Sequence, residues 1–489
     1  MAVEAVERHG IQRLLAEPRR PEAVSKLPYA HWLVVATVCV GAFMGQLDAS
    51  IVTQAFPIMQ RSFHTTVSAV QWVGLAYLLV LVSLLAAVGR IADMVGRKLL
   101  YTYGFLIFII GSALSGIAPS LGFLVAARIL QGVGAAMLQA NSVAIIVAAS
   151  PKEKLGQAIG IQGAAQALGL ALGPGVGGLL IALGGWQLIF FVNVPVGIIG
   201  TALGWFLIPR SQHLSERVSF DWAGLAMFIP SVVALMLAIS DGNHLGWASP
   251  MTIGLIAIFI VFGVLFIIRQ LKISNPMIDL DLFKRVAFSA GIVSGLLSYL
   301  VLFGVLFVVP FLLVNSLHVA VATAGAELMV MPAGLGLVAP FAGRLADRLG
   351  ARPLTVAGMI LTGAMLIVLA FSHSNVTLFL IELALVGVGL GMFTPPNNAA
   401  IMGAAPPHKS GLASGVLNMT RGMGTSLGLA LTGLVFDSVV GSGLHLSGPV
   451  ARGFDASVYF LAAVAIVGAL LAAMRGKTAM NLDPVLSAE

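Results

Sequence analysis

Two charged residues lie deep inside long apolar runs of the sequence. Asp48 is about seventeen residues into the run at 31–57, and Arg128 is about seven residues into the run at 121–149. A charge at the centre of a bilayer costs about 2.5–3.5 kcal/mol on insertion scales, and such residues usually face a cavity on an ion or proton path. Asp48 is therefore predicted to take up and release a proton, with Arg128 as its switchable partner. The alternative is a permanent ion pair that joins two helices.

Two further acids lie inside apolar runs. Glu382 follows Arg128 by 254 residues, the spacing of an internal repeat, so it is predicted to occupy the equivalent place in the second half of the chain. Both Glu382 and Glu327 are candidates for binding a cationic substrate, and the alternative is a position at the outer membrane interface. The predicted substrate-binding residues are Asp48, Glu327, Glu382, Trp72 and Tyr77; for the two aromatic residues, packing is the alternative.

The sequence offers no catalytic or metal-binding constellation. Cys39 is the single cysteine, so a disulfide framework or a cysteine-based metal site cannot form. The histidines lack the spacing of metal ligands, and no nucleophile is paired with a base. We expect no enzyme activity, no metal and no cofactor.

The elements that position these residues are predicted membrane spans. Of 489 residues, 59% are hydrophobic and 9% are charged, whereas soluble domains are about 45–50% apolar and about 25% charged. Apolar runs in lipid must be helices, because each backbone polar group needs a partner within its own segment. Fourteen spans are predicted, at 31–57, 70–88, 99–118, 121–149, 155–183, 187–208, 220–240, 251–270, 287–314, 321–342, 354–371, 376–402, 410–438 and 456–474.

The basic residues predict the orientation of these spans. If the N-terminus is cytoplasmic, the cytoplasmic segments hold 22 of the 26 Lys and Arg residues, as the positive-inside rule requires. Arg61 and Arg452 lie in outer loops, and Arg128 and Arg421 lie within spans. Arg421 is interpreted either as the partner of a cavity acid or as a residue that pins helices. Both termini are predicted to be cytoplasmic, and the positive charge to serve membrane topology, with no nucleic-acid partner.

An internal repeat divides the chain into two related halves. GRIADMVGRK at 89–98 returns as GRLADRLGAR at 343–352, and GVGAAM at 132–137 returns as GVGLGM at 387–392. The predicted domains are an N-terminal tail (1–30), a six-helix bundle (31–208), a linker with two extra spans (209–286), a second six-helix bundle (287–474) and a C-terminal tail (475–489). Two parallel repeats of this kind suit alternating access around a site at mid-membrane.

Three glycines share one face of the predicted fifth span. Gly169, Gly173 and Gly177 are spaced by four residues, which permits close contact with a neighbouring helix. Pro174 removes a backbone hydrogen bond and is expected to kink the span. We predict a gating role for this face, and generic packing is the alternative.

These motifs resemble the major facilitator superfamily, and more narrowly the fourteen-span drug:proton antiporters of the EmrB/QacA type. The resemblance rests on GRIADMVGRK (89–98), RILQGVGAA (128–136), GLALGPGVGG (169–178), LDASIVTQAFP (47–57) and WVGLAY (72–77). It implies the major facilitator fold, with two pseudo-symmetric six-helix bundles and two inserted helices, in the cytoplasmic (inner) membrane of a bacterium. It also implies that Arg128 takes part in proton coupling. The repeated loops would form a conformational latch, whose predicted gating residues are Gly89, Arg90, Asp93, Gly96, Arg97, Gly343, Arg344 and Asp347.

The predicted function is proton-driven export by antiport. Lipophilic compounds, with cations expected, would leave the cell in exchange for protons, so the partners are a small-molecule substrate, protons and the lipid bilayer. The alternative is an exporter of one specific lipid or secreted metabolite on the same fold. A periplasmic adaptor is an open alternative for which the sequence gives no evidence.

Overall fold

The structure is a computed structural model that describes residue 17 and residues 20–65, 67–151, 154–211, 220–274, 276–372, 375–406, 410–440 and 447–475. These residues form helices and turns, with no strand among them. The prediction of an all-helical fold is confirmed.

The described residues form fourteen long helices. The first six are α1 (Ala30–Ile51), α2 (Val67–Val95), α3 (Arg97–Gly116), α4 (Leu121–Ala149), α5 (Leu155–Gly184) and α6 (Asn193–Leu207). Two more are α7 (Trp222–Leu245) and α8 (Pro250–Lys272). The last six are α9 (Val286–Phe311), α10 (Val321–Leu328 and Val330–Leu349), α11 (Ala351–Ser372), α12 (Val376–Ala404), α13 (Ser410–Val440) and α14 (Ser447–Ala473).

Within the described ranges, thirteen of these helices are long and apolar enough to cross a membrane. The exception is α2, whose apolar stretch Ala69–Leu85 is shorter. The chain is therefore a multi-pass membrane protein, and the fourteenth span stays a prediction.

The same pairs of helices pack together in both halves of the chain. In the first half α1 packs on α5, α4 packs on α2 and α3, and α6 packs on α1 and α3. In the second half α9 packs on α13, α12 packs on α10 and α11, and α14 packs on α9 and α11. Contacts repeat residue by residue, since Gly169 lies against the carbonyl oxygen of Phe43 and Gly424 lies against that of Leu296.

The repeated loops form matching turns. Gly96 separates α2 from α3 with φ of 122°, and Gly350 separates α10 from α11 with φ of 82°. Both angles lie in the left-handed region, which glycine adopts without steric cost. The helices that follow the next loops also begin alike, because the side chain of Ser120 caps α4 and that of Asn375 caps α12.

The two halves contact each other along α5 with α10 and along α2 with α13. We call the end of the molecule with the α2–α3 and α10–α11 loops the basic end. Far from this end, Gly178 of α5 packs against Ala322 of α10. Closer to it, the Cβ positions of Gly160 and Gly163 meet no atom within 4 Å among the described residues. The halves therefore separate toward the basic end.

Helices α7 and α8 have no counterpart in the repeat. They pack on each other, and α7 also packs on α13 and α2. Buried Asp221 joins them, because it accepts hydrogen bonds from Arg269 Nε at 2.5 Å and Gln270 Nε2 at 2.8 Å. Asp221 also caps α7 through the backbone N–H of Gly224 at 2.9 Å. Only 11% of the most apolar part of α8 is buried, so α8 is the outermost helix of this pair.

Candidate functional site

Asp48 and Arg128 form an ion pair in the core of the first half. Arg128 Nη1 lies 2.7 Å from Asp48 Oδ2, and the two side chains are 1% and 0% exposed. The predicted proximity of these residues is confirmed. Taking both charges out of water is costly, and their attraction offsets this cost only if further hydrogen bonds satisfy the remaining polar atoms.

Those further hydrogen bonds come from a shell of neutral polar residues. Gln131 Nε2 and Asn193 Nδ2 each donate to Asp48 Oδ1 at 2.9 Å. Gln131 Oε1 accepts from Arg128 Nη1 at 2.6 Å, and Asn193 also donates to Ser112 Oγ at 3.1 Å. Four helices, α1, α3, α4 and α6, thus contribute to one buried network around a single carboxylate.

Arg128 also contacts the neighbouring helix α2. Its Nε donates to the carbonyl oxygen of Val73 at 3.0 Å. Its guanidinium lies over the ring of Tyr77, 4.2 Å from the ring centroid, which is the geometry of a cation–π interaction. A change at Tyr77 therefore acts directly on the partner of Asp48.

Tyr77 also lines a central pocket between the two halves. Helices α1, α2, α4 and α5 contribute to this pocket from the first half, and α9 and α13 from the second. Its empty volume, including the part continuous with solvent, is about 700 Å³, within the range of small-molecule sites. The polar side chains that line it include Gln46, Tyr77, Gln139, Gln166, Tyr299 and Arg421.

Asp48 itself does not line this pocket among the described residues, since its side chain is fully buried and Tyr77 lies between them. The lining residues include no carboxylate. The pocket therefore offers a cationic substrate no ion-pair partner.

Glu382 does not occupy the place of Arg128 in the second half. Gly132 and Gly134 pack on the backbone of Tyr77 and Phe108, and Gly387 and Gly389 make the corresponding contacts. The spacing between α4 and α12 is therefore 255 residues, so Leu383 is equivalent to Arg128. One residue turns a side chain by about 100° around a helix. The prediction of equivalence is wrong.

The structure instead places Glu382 within the second half. It is 3% exposed and accepts a hydrogen bond from Ser372 Oγ of α11. Glu327 is half-buried on α10, with one buried carboxylate oxygen that has no described partner. Trp72 packs against apolar core residues. These three side chains lie outside the described pocket lining, and their predicted substrate contacts stay predictions.

The glycine face of α5 packs against α1. The Cβ positions of Gly169, Gly173 and Gly177 meet Phe43, Ser50 and Ile51 in turn. The predicted close helix contact is confirmed, while a gating role stays a prediction. On another side of the same helix, the carbonyl oxygen of Pro174 lies against Gly325 of α10, so α5 connects the buried network to the second half.

The predicted latch residues lie at the basic end. Arg97 donates to the carbonyl oxygen of Ala144 at 3.4 Å, within its own half. Gly89 faces Ala140, Gly343 meets no described neighbour within 4 Å of its Cβ position, and Arg344 is exposed. The side chains of Arg90, Asp93 and Asp347 lie outside the described residues.

Sequence reasoning missed Gln131, Asn193 and the pocket position of Arg421. Gln131 follows Arg128 by three residues, which places both on one helix face. An amide in an apolar run, as at Asn193, is a weak signal. Which face of α13 carries Arg421 can be read only from the packing.

Comparisons with known proteins agree with this fold. A family model described as Major Facilitator Superfamily matches residues 38–288 and 291–479. The riboflavin transporter RibZ of Clostridioides difficile is 34% identical over 401 residues, covering 82% of this chain and 87% of that protein. The multidrug resistance protein Stp of Mycobacterium tuberculosis is 34% identical over 405 residues, covering 82% and 75%.

A solved structure shows the same architecture. It is a bacterial homolog of the human lysosomal transporter Spinster in an inward-facing and unoccupied conformation. The TM-score is 0.64 at 15% identity, with 92% of this chain and 97% of that chain covered.

The fold and the comparisons define a membrane transporter, not an enzyme. The chain belongs to the Major Facilitator Superfamily.

Proposed function

We propose that the protein is a fourteen-span antiporter that exports lipophilic small molecules in exchange for protons. The observation that carries this proposal is the buried carboxylate of Asp48, held by Arg128 next to a pocket between two similar halves. A lone acid of this kind inside a membrane bundle favours a proton relay. The name of the relative Stp, a multidrug resistance protein, supports an export role.

Tyr77 provides the coupling between substrate and proton. Its ring contacts Arg128 on one side and lines the pocket on the other. A substrate that moves this ring shifts the guanidinium, and Asp48 then loses part of its ion pair. The substrate therefore need not enter the space around Asp48, in contrast to direct competition for the carboxylate.

The opening at the basic end corresponds to an inward-facing state if this end is cytoplasmic. Positive charge concentrated there supports that orientation in a bacterial cytoplasmic membrane. Closure of this end would bring the α2–α3 and α10–α11 loops together, and contacts of Arg90, Asp93, Arg344 and Asp347 would then hold the outward-facing state. Loosening of α5 against α10 near Gly178 would open the other end.

The test is uphill transport by the Asp48→Asn variant. Cells or vesicles with an imposed proton gradient are loaded with a panel of lipophilic dyes, and efflux is followed by fluorescence. Asn retains the shape of the side chain but does not titrate, so gradient-driven efflux is expected to fall to the level of vesicles without the protein. Exchange of dye for dye, which needs no proton, should persist.

The matched control is Val301→Ala in the second half, at the position equivalent to Asp48. This variant should retain gradient-driven efflux, because it removes buried volume without touching the ion pair. Full gradient-driven efflux by Asp48→Asn would refute proton coupling at this site.

A second candidate is an exporter of one specific metabolite. The similarity to a riboflavin transporter favours it. A specific exporter would ignore most of the dye panel while retaining proton-driven transport of its own substrate.

A further inference from the structure

The central pocket holds one cation that lacks an anionic partner. Among the described lining residues, Arg421 of α13 is the only charged side chain. Its Nη1 donates to Asn418 Oδ1 at 3.4 Å, and its Nε is buried without a partner in the described part of the chain. Its guanidinium lies 5.8 Å from the ring centroid of Tyr299. Because a charge removed from water is costly without a counter-charge, this site favours an anionic ligand.

The contrast with Arg128 shows that Arg421 is not a second structural ion pair. Arg128 is neutralised by Asp48 at 2.7 Å and is 1% exposed, whereas Arg421 is only partly buried and lines the pocket. Electrostatically the described pocket is therefore positive, since the neighbouring Asp48–Arg128 pair has no net charge.

The repeat supplies a neutral counterpart to Arg421. The glycine contacts of α5 and α13 give a spacing of 255 residues between these helices, so Gln166 is equivalent to Arg421, and both line the pocket. Gln166 shares the pocket with Gln46 and Gln139, whose side-chain amides make no hydrogen bond to the described residues. These amides and the ring of Tyr299 complete a surface for an aromatic ligand with an acidic group.

We propose that the transported substrates are amphipathic organic anions whose acidic group binds Arg421. This inference rests on the proposed transport function and replaces its expected cationic substrate. It also changes the energetics of the exchange. Moving an anion out while a proton moves in transfers charge in one direction, so the membrane potential drives it, whereas exchange of a monovalent cation for one proton transfers no net charge.

The test is equilibrium binding of two dyes to the purified full-length protein without any proton gradient. Fluorescein and rhodamine 123 share a xanthene ring system and carry opposite charge at a mildly alkaline pH. Fluorescence anisotropy should show that the wild type binds fluorescein more tightly than rhodamine 123. Arg421→Gln should weaken fluorescein binding by about tenfold or more, the usual range for loss of a charge-assisted hydrogen bond, and should not weaken rhodamine 123 binding.

Two further variants separate charge from structure. Arg421→Lys should retain much of the fluorescein affinity, and the double variant Arg421→Gln with Gln166→Arg should restore it by moving the charge to the equivalent position. Thermal unfolding of each variant verifies that the fold is intact.

The proposal is overturned if the wild type does not bind fluorescein, prefers rhodamine 123, or loses no fluorescein affinity in Arg421→Gln. Gradient-driven efflux that requires Asp48 would survive that result, so failure of anion recognition and failure of proton coupling are distinguishable.

Discussion

The two halves of the protein share their helix packing but differ at the centre of each bundle. Glycine contacts set the equivalent positions. The equivalent pairs are Asp48 and Val301, Arg128 and Leu383, Gln131 and Val386, Ser112 and Leu366, and Tyr77 and Met331, all of them buried. The first half therefore buries a polar network where the second half buries only apolar side chains.

This difference shows that the helix packing does not require an ion pair. Well-packed apolar residues of similar volume often replace a buried ion pair without loss of stability, and the second half contains that arrangement. A network that packing does not need supports a functional role for Asp48 and Arg128, and it assigns the proton-binding carboxylate to the first half.

The largest expected effect comes from breaking the pair on one side. Arg128→Leu introduces the residue of the second half but leaves Asp48 buried without its cation, so the free energy of unfolding should fall by about 3–5 kcal/mol. Adding Asp48→Val should recover most of this loss while transport stays abolished. Thermal unfolding in detergent measures the order of the variants. A double variant no more stable than Arg128→Leu would contradict the comparison.

A smaller and symmetric effect is expected at the glycine contacts. Gly169→Ala and Gly424→Ala each place a methyl group against a backbone carbonyl oxygen, of Phe43 and Leu296 respectively. Overpacking of this kind should lower stability by about 1–3 kcal/mol in either half. If α5 gates the pocket, only Gly169→Ala should also reduce dye efflux beyond its effect on the amount of folded protein. Equal losses of transport in both variants would count against gating by α5.

A still smaller effect is expected from Glu382→Gln. The new amide oxygen can still accept the hydrogen bond from Ser372, so the stability should change by less than about 1 kcal/mol. Gradient-driven efflux should persist, because this acid lies outside the described pocket lining. Loss of efflux in this variant alone, with Asp48→Asn as the reference, would show that the second half also carries a coupled acid.

The inserted pair α7–α8 should show a local response to acid. Burial of Asp221 opposes its ionisation, but hydrogen bonds from Gly224, Arg269 and Gln270 outweigh this effect and lower its pKa below the ordinary value of 3.8. Its stabilisation is therefore present above that value and is lost as the pH falls through the lower pKa of the folded state. Hydrogen exchange should accelerate in α7 at such pH. The Asp221→Asn variant should exchange without this pH dependence, and an unchanged pH profile in it would assign the effect elsewhere.

Much of the fold could be predicted from the sequence because its signals are strong and local. Apolar runs of span length indicate helices, and the recurrence of the loops around Gly96 and Gly350 indicates the duplication. The pairing of Asp48 with Arg128 could be predicted from depth alone, since two opposite charges in lipid have few other partners.

The rest depends on rotation about helix axes, which the sequence does not determine. A shift of one residue between the spacing of the loops and that of α4 and α12 was enough to misplace Glu382. Arg421 could be assigned to a span, but its exposure to the pocket depends on how α13 crosses α2, where Gly422 contacts Val82.

The duplicated pocket is unequal from side to side. Arg421 and Gln166 occupy equivalent positions, and the spacing of 253 residues between α1 and α9 makes Tyr299 the equivalent of Gln46. A bound compound turned end over end would exchange a guanidinium for an amide and an amide for a phenol ring. The site should therefore distinguish the head of an elongated molecule from its tail, and molecules with two identical ends should gain no preferred direction of entry.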